Sequence, residues 1–371
     1  MNELSAHPTG EGSKQALVPH AGPIPVTTFG GRVHVEWDPQ AAVTPFGQLP
    51  FFIDFLHVSG VFDAWVESCP LQLKSPNAPE NREILGTLLL SLLAGHQRYA
   101  HINALRSDGV NPLLLGISQV MSEDSIRRNL KKIEETLGVK WLQDHLEYGV
   151  NPLLREPWIL DMDVTIKPLY GHQEGAEKGY NPHKPGRPSH TYHTYFVAGL
   201  RLILDVEVKP GNQNASKYSA PGLWELLDRL PRPLWPSLIR GDRDWGTEAN
   251  MARAEQEGVP LLFKLRLSKG VKQSIERLMR EADWCEAGQG WEGAETPLRL
   301  QGWGRHRRAI VLRRRIKGDL AVVDERNPDQ LQLSFAELVE ETVVYEYAVL
   351  ITSLAHEILT VAQLYRDRAD A

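Results

Sequence analysis

Hydrophobic spacing divides the chain into a helical first part and a strand-rich second part. The clearest period is MSEDSIRRNLKKIEETLG, residues 121–138. Ser122 is placed to cap a helix, with Glu123 and Asp124 in the first turn, where the helix dipole favours acids. Ile126, Leu130, Ile133 and Leu137 then recur at i, i+4, i+7 and i+11, which predicts one helix with one apolar stripe, stopped at Gly138. Arg127, Arg128, Lys131 and Lys132 lie off that stripe. The pattern is helical from about residue 50 to 150, and ILGTLLLSLLAG at 84–95 reads as a buried helix. Before it, residues 1–25 are rich in Gly, Pro and Ser without periodicity and read as a flexible arm, and GRVHVEWD at 31–38 alternates like a strand.

The texture changes at Pro157. In WILDMDVT, residues 158–165, Leu160, Met162 and Val164 fall on one face of a predicted strand, and Ile159, Asp161, Asp163 and Thr165 on the other. A Gly/Pro/His-rich loop at 170–190 precedes TYHTYFVAGL and RLILDVEVKPG, two β-rich runs joined near Gly199. A helix over APGLWELLDRL, with Pro221 near its first turn, leads to a short strand in WPSLIRGDRDWG at 235–246. Thr247 caps a helix to about Glu257, which Gly258 ends, and PLLFKLRL at 260–267 is a further strand. A helix in VKQSIERLMREAD and short β-like runs (LRLQGW, RRAIVLRRRI, LAVVDE) interrupt this core before YEYAVLITSL at 345–354 and a final helix reaching QLYRDRADA, 363–371. The expected organisation is an arm at 1–29, a mainly helical region at 30–150, an α/β core at 151–267 with a mixed sheet flanked by helices, a mostly β insertion at 268–343, and the last core strand and helix at 344–371.

Composition narrows the function only a little. The 371 residues are 42% hydrophobic and 24% charged, with a net charge of -6, so no general basic surface is present and any polyanion-binding surface must be local. Two cysteines, Cys69 and Cys285, make neither a disulfide framework nor a thiolate metal site, which suits a cytosolic protein. The opening residues lack a basic stretch followed by an apolar one, so no signal peptide is expected, and 84–95 is too short to span a bilayer.

Three carboxylates and three cationic or imidazole clusters could carry chemistry. Asp161 and Asp163 share a strand face, and Asp242 ends another strand, at the rim where α/β proteins place ligands. Carboxylates brought together repel, so either one is protonated or a cation sits between them. Mg²⁺ accepts such oxygens, and two ions about 3.5–4 Å apart clamp both oxygens of a phosphodiester displacement. Turn capping, or pairing with Arg240 and Arg243, accounts for the same acids. His172, His183, His190 and His193 suggest zinc by residue type, but they span a Pro/Gly-rich loop without helical spacing, and loop or DNA-backbone contacts are the alternative. Arg127, Arg128, Lys131 and Lys132 would face a DNA groove if a helix near 111–120 completed a helix-turn-helix pair, or would form a solvated face of a bundle. Arg305, Arg307, Arg308, Arg313, Arg314, Arg315 and Lys317 run from Gly302 to Gly318 without an acid, as a phosphate-tracking stripe or as a charged hairpin that resists edge pairing.

DMDVTIKPLYGHQEGAEKGYNPHKPGRPSHTYHTY, LIRGDRDWG and QLYRDRADA, taken in order, closely resemble the DDE transposases of bacterial insertion sequences. More narrowly, they resemble the group with a Tyr-x2-Arg-x3-Glu-x6-Lys signature. The resemblance covers roughly residues 150–371 and implies an RNase H-like core with a β insertion before the last catalytic helix. Its catalytic acids map to Asp163 and Asp242, with Asp161 as an alternate or supporting ligand, and its signature Tyr and Arg to Tyr365 and Arg368. It further implies two Mg²⁺ or Mn²⁺ ions, hydrolysis at transposon ends followed by strand transfer, terminal inverted repeats and target DNA as substrates, a homodimer on DNA, and a cytoplasmic, nucleoid-associated protein.

The signature calls for its Glu immediately after Ala371, so the expectation is a chain that stops one residue short of the third acid. On a continuous α-helix, at about 100° and 1.5 Å per residue, Asp370 would point about 160° away from that position, and Asp367 about 140° away and about 7.5 Å down the axis. Neither would replace the ligand. The polypeptide alone is therefore expected to be severely impaired, with a DNA-binding inhibitor or another RNase H-like nuclease as the competing readings.

Overall fold

A computed structural model describes residues 23–35, 40–181, 184–200, 202–213, 218, 220–316 and 345–370. The chain divides into two compact units, Met1–Trp141 and Leu142–Ala371. The first unit opens with a hairpin of β1 (Ile24–Thr28) and β2 (Gly31–Val35), so a strand forms within what composition marks as the arm. Helices α1 (Leu49–Ser59), α2 (Val61–Glu67) and α3 (Asn81–Leu93) follow. Ile84, Leu85 and Leu90 of α3 are fully buried, as the apolar run predicts. No single helix among the described residues is long and apolar enough to cross a membrane.

The predicted helix over 122–138 is two helices. Ser122 Oγ accepts from the Ser125 N–H (3.2 Å) and caps α5 (Glu123–Leu130). The Glu134 carboxylate then accepts the N–H groups of Thr136 (3.0 Å) and Leu137 (2.8 Å) and starts α6 (Glu135–Val150), the helix that crosses the division between the units. A side chain offering the backbone a second cap outweighs the continuous apolar spacing. Ile126 is buried while Leu137 is exposed, and Gly138 lies inside α6 rather than ending a helix. The helix expected near 111–120 is the single turn α4 (Asn111–Leu114). Gly116, at φ 75°, turns the chain away, so no helix-turn-helix pair forms.

In the second unit, β3 (Ile159–Pro168), β4 (Glu177–Lys178), β5 (Pro188–Val197), β6 (Leu202–Pro210), β7 (Leu238–Gly241), β8 (Leu261–Lys264), β9 (Cys285–Gly288), β10 (Trp291–Leu298), β11 (Arg307–Arg315) and β12 (Tyr345–Thr352) form one sheet among the described residues. The order is β4-β5-β3-β7-β8-β12-β11-β10-β9, with β6 also on β5. Antiparallel β3–β5–β6 followed by parallel β7 and β8 is an RNase H-like core. The Gly199 turn at φ 77° closes the β5–β6 hairpin. Strands β9 to β11, expected as a β insertion, extend the core sheet through antiparallel β12. LRLQGW contributes only Leu298 to a strand, and LAVVDE lies outside the described residues.

Each face of this sheet has its own core. Leu160, Met162, Tyr195, Ile239 and Phe263 pack with α7 (Ala220–Arg229) and α8 (Glu248–Gln256), through Leu223, Trp224, Met251 and Ala254. Leu238, Leu262, Ile310 and Leu350 pack on the other face with Val361 and Ala362 of α10 (Ile358–Arg366), which follows α9 (Lys269–Glu281) in the chain. Thr247 Oγ1 accepts the Asn250 N–H (3.3 Å) and caps α8, as predicted. The terminal helix does not continue to the end: Asp367–Asp370 is a 3-10 turn. Its tighter winding replaces the α-helical angles used to place Asp367 and Asp370.

Candidate functional site

Strand alternation brings Ile159, Asp161 and Asp163 to the α10 face of β3. Parallel pairing with β7 sets Ile159 beside Leu238 and Asp161 beside Arg240, and Met162 beside Gly241. Asp163, midway along β3, and Asp242, just past the end of β7, therefore fall on the next rung and on the same face, where neighbouring strands lie about 4.8 Å apart. Asp242 is held by the turn it starts: its Oδ1 accepts from the Asp244 N–H (2.9 Å) and its carbonyl from the Trp245 N–H (3.1 Å). Gly241 makes that turn possible, since a Cβ there would meet the Trp245 side chain at 2.7 Å.

The four polar groups on this face have separate surroundings. Asp161 is fully buried and takes a two-pronged contact from Arg240, Nε to Oδ1 at 2.6 Å and Nη2 to Oδ2 at 2.5 Å. Arg240 Nη1 also donates to the Leu364 carbonyl of α10. With both oxygens engaged by Arg240, Asp161 ties β3 to β7 on this face. Burial pushes its carboxyl up, and the Arg240 contact pulls it back. Asp163 keeps a side chain 47% exposed and accepts from Arg368 Nη2 at 2.9 Å. The same nitrogen donates to the Met162 carbonyl at 2.7 Å, so the 3-10 turn places the signature Arg directly on β3.

Electrostatics tie these residues together. Burial raises the Asp242 carboxyl above its ordinary value; the Asp244 N–H and Arg368 lower it, and the charges of Asp244 and Asp163 raise it. Burial likewise raises the Tyr365 hydroxyl, which feels Arg368, Asp242 and Asp163. Two carboxylates, a guanidinium and a protonated phenol thus share one rim. Among the described residues, no group of three or more His, Cys, Asp or Glu side chains is placed to hold a metal ion.

The family model described as Transposase DDE domain group 1 matches residues 75–371. The chain belongs to this transposase family. Among solved structures, the piggyBac transposase synaptic complex with hairpin DNA is 11% identical, with 89% of this chain and 68% of that chain covered and a TM-score of 0.43. The Mos1 transposase paired-end complex with left transposon end is 13% identical, with 58% and 76% covered and a TM-score of 0.18. The pre-cleavage Mos1 transpososome is 12% identical, with 64% and 85% covered and a TM-score of 0.17. No curated protein matches the chain.

The DDE domain uses much of its basic run internally. Arg307 is buried between Glu248 (Nη1 to Oε2) and Glu255 (Nε to Oε1, 2.7 Å), both on α8, which removes it from any surface available to a phosphate backbone. Arg305 pairs with Glu255 at 2.9 Å, Arg308 with Glu295 at 2.5 Å, Arg313 with Glu292 at 2.7 Å and Arg314 with Glu346 at 2.5 Å. Arg308 also donates to the Leu354 and His356 carbonyls, and Arg313 lies between Trp284 and Tyr345. Arg315 ends β11 and is exposed, and Lys317 lies outside the described residues. These acids sit on α8, β10 and β12, too far away in sequence for a window on the run to reveal them. In the other unit, Arg127, Arg128, Lys131 and Lys132 are exposed at the end of α5, with Arg127 paired to Asp124 and Lys132 Nζ donating to Asn129 Oδ1 at 2.8 Å.

Among the described residues, the histidines do not gather into a metal-holding group. His190 Nε2 contacts the Glu174 carbonyl at 2.8 Å, His172 is exposed, and His183 lies outside the described residues. His193 is fully buried in β5, with Nε2 3.3 Å from the Gln213 carbonyl. Burial lowers its pKa below the ordinary value, against the pull of Glu207. The unfolded chain then binds the proton more readily. Stability is full above about pH 6.5 and falls as pH drops from there toward the depressed folded value. Thermal melting should therefore shift downward between pH 7.5 and 5.5, and His193→Phe should flatten that dependence.

Proposed function

We propose that the chain is a DNA transposase whose phosphodiester chemistry is centred on Asp163 and Asp242. The observation that carries this reading is the common rim: two carboxylates on adjacent parallel strands, one of them with its carboxyl raised by burial and by the other's charge. Hard oxygen ligands that repel one another suit Mg²⁺ or Mn²⁺, so Asp163 and Asp242 are the residues that would hold such ions. When bound, the ions offset charge on the phosphate oxygens of the bond that breaks. Arg368 steadies Asp163 and adds positive charge beside the scissile phosphate, while Tyr365 stays protonated and able to donate. Water attack at a transposon end yields a 3′-hydroxyl, which then attacks a target phosphate. Terminal inverted repeats of a bacterial insertion sequence and target DNA are the substrates of this reading, acted on by a homodimer.

The test incubates the protein with labelled transposon-end duplex in the presence of Mg²⁺ and, separately, of EDTA. Cleavage with Mg²⁺ alone is expected; equal cleavage in both would overturn the assignment of these acids to metal-dependent chemistry. Cleavage confined to junctions or RNA–DNA hybrids would favour another RNase H-like nuclease.

A further inference from the structure

The turn that carries Asp242 is pinned from two sides. On the sheet side, Trp245 is fully buried with its ring edge-on to Tyr195 at 5.7 Å, and its carbonyl accepts from Asn250 Nδ2 (3.0 Å) and the Thr247 N–H (2.7 Å). On the solvent side, Arg266 reaches across from the loop after β8: its Nε donates to Asp244 Oδ1 at 3.1 Å, and its Nη2 to the same oxygen. The two loops meet because β7 and β8 are parallel and end at one rim. Their approach is close, since a Cβ on Gly246 would meet the Lys264 carbonyl at 2.9 Å. Arg266 has a fixed base of its own. The Leu265 N–H donates to the Val349 carbonyl of β12 (2.7 Å), and the Arg266 carbonyl accepts the Ser268 N–H (2.7 Å) just before α9.

Asp244 joins this clamp to the site. Its N–H donates to Asp242 Oδ1 (2.9 Å), while its carboxylate takes the Arg266 guanidinium. The charge of Asp244 also raises the Asp242 carboxyl, in the same direction as the charge of Asp163. A third carboxylate at that rim repels the two that converge there unless a cation holds it. Arg266 supplies that cation and steadies the residue whose N–H orients Asp242. The Arg266 side chain is 53% exposed, and an ion pair this open adds little to stability, because water screens it. Geometry at Asp242, rather than folding energy, is what the pair contributes.

We propose that Arg266 is a positioning residue: through Asp244 it holds the Asp242 carboxylate in the orientation that lets it share a divalent cation with Asp163. This rests on the reading of Asp163 and Asp242 as the ion-holding pair. Arg266 acts on the ligand and not on the DNA, so its loss weakens metal binding and leaves duplex binding unchanged. Removing a partner that orients a metal ligand from behind typically changes metal affinity by about 10–100-fold.

The test is Mn²⁺ titration of the DNA-free protein followed by electron paramagnetic resonance, with duplex affinity by fluorescence anisotropy and melting curves alongside. Arg266→Gln should weaken Mn²⁺ binding by about 10-fold or more, with duplex affinity and melting near the parent. In an Asp244→Asn background the same replacement should change nothing further, because its route to Asp242 is already cut. Arg253→Gln opens another part-exposed ion pair, to Asp228, and should keep the parental Mn²⁺ affinity. Parental affinity in Arg266→Gln, or an equal loss with Asp244 already replaced, would overturn the positioning role while leaving the rim reading intact. Weakened duplex binding at unchanged Mn²⁺ affinity would place Arg266 on the DNA and overturn it too, as would a loss of Mn²⁺ that follows a lowered melting temperature. Absence of Mn²⁺ binding by the parent, or binding that survives Asp163→Asn and Asp242→Asn together, would overturn both readings.

Discussion

Asp163→Asn and Asp242→Asn should each lower strand cleavage by on the order of 10³-fold, with duplex binding retained. Removal of a single preorganised electrostatic partner from an active site typically costs about 10²–10³ in rate. Here the amide also fails as a hard anionic ligand, so the upper end of that range applies. The substitutions keep volume and leave the Asp161–Arg240 contact in place, so the protein should stay folded. The measurement is single-turnover cleavage of labelled end duplex with Mg²⁺, alongside anisotropy for binding. Retention of parental cleavage by either variant would show that the rim is not the reacting centre.

Arg240→Met should destabilise the second unit by about 3–5 kcal/mol, because it strands the Asp161 carboxylate in an apolar interior. Both side chains are almost entirely withdrawn from water, at 2% and 0% exposed, so solvent cannot rescue the charge. The double replacement Asp161→Leu/Arg240→Met should recover most of the loss, since two apolar groups of similar bulk need no partner. Urea unfolding followed by circular dichroism gives both values. A single variant within about 1 kcal/mol of the parent would contradict the assignment of this pair as the anchor of α10 on β3 and β7, where Arg240 also holds the Leu364 carbonyl.

The same pair marks the limit of what the sequence makes legible. Alternation in 158–165 assigns Asp161 and Asp163 to one face correctly, because a strand's period is local. Which acid stays available depends on Arg240, 79 residues away, and on a register that no local pattern encodes. Caps were readable at Ser122 and Thr247 because the side chain bonds its own first turn. The break before α6 was missed because Glu134 is an unusual cap, set within an intact apolar stripe. Strand β11 is legible in RRAIVLRRRI, whereas β9 and nearly all of β10 fall outside the β-like runs, and the attachment of β11 to β12 is a choice among distant partners. Arg307 shows the same lesson in charge: its glutamates stand on α8, about fifty residues earlier.

The continuity of the sheet through β12 has a mechanical consequence. Hydrogen-bonded ladders run without interruption from β3, which carries Asp163, through β7, β8, β12 and β11 to β10. Moving β10 relative to β3 therefore means breaking backbone hydrogen bonds, so the two strands keep a fixed separation.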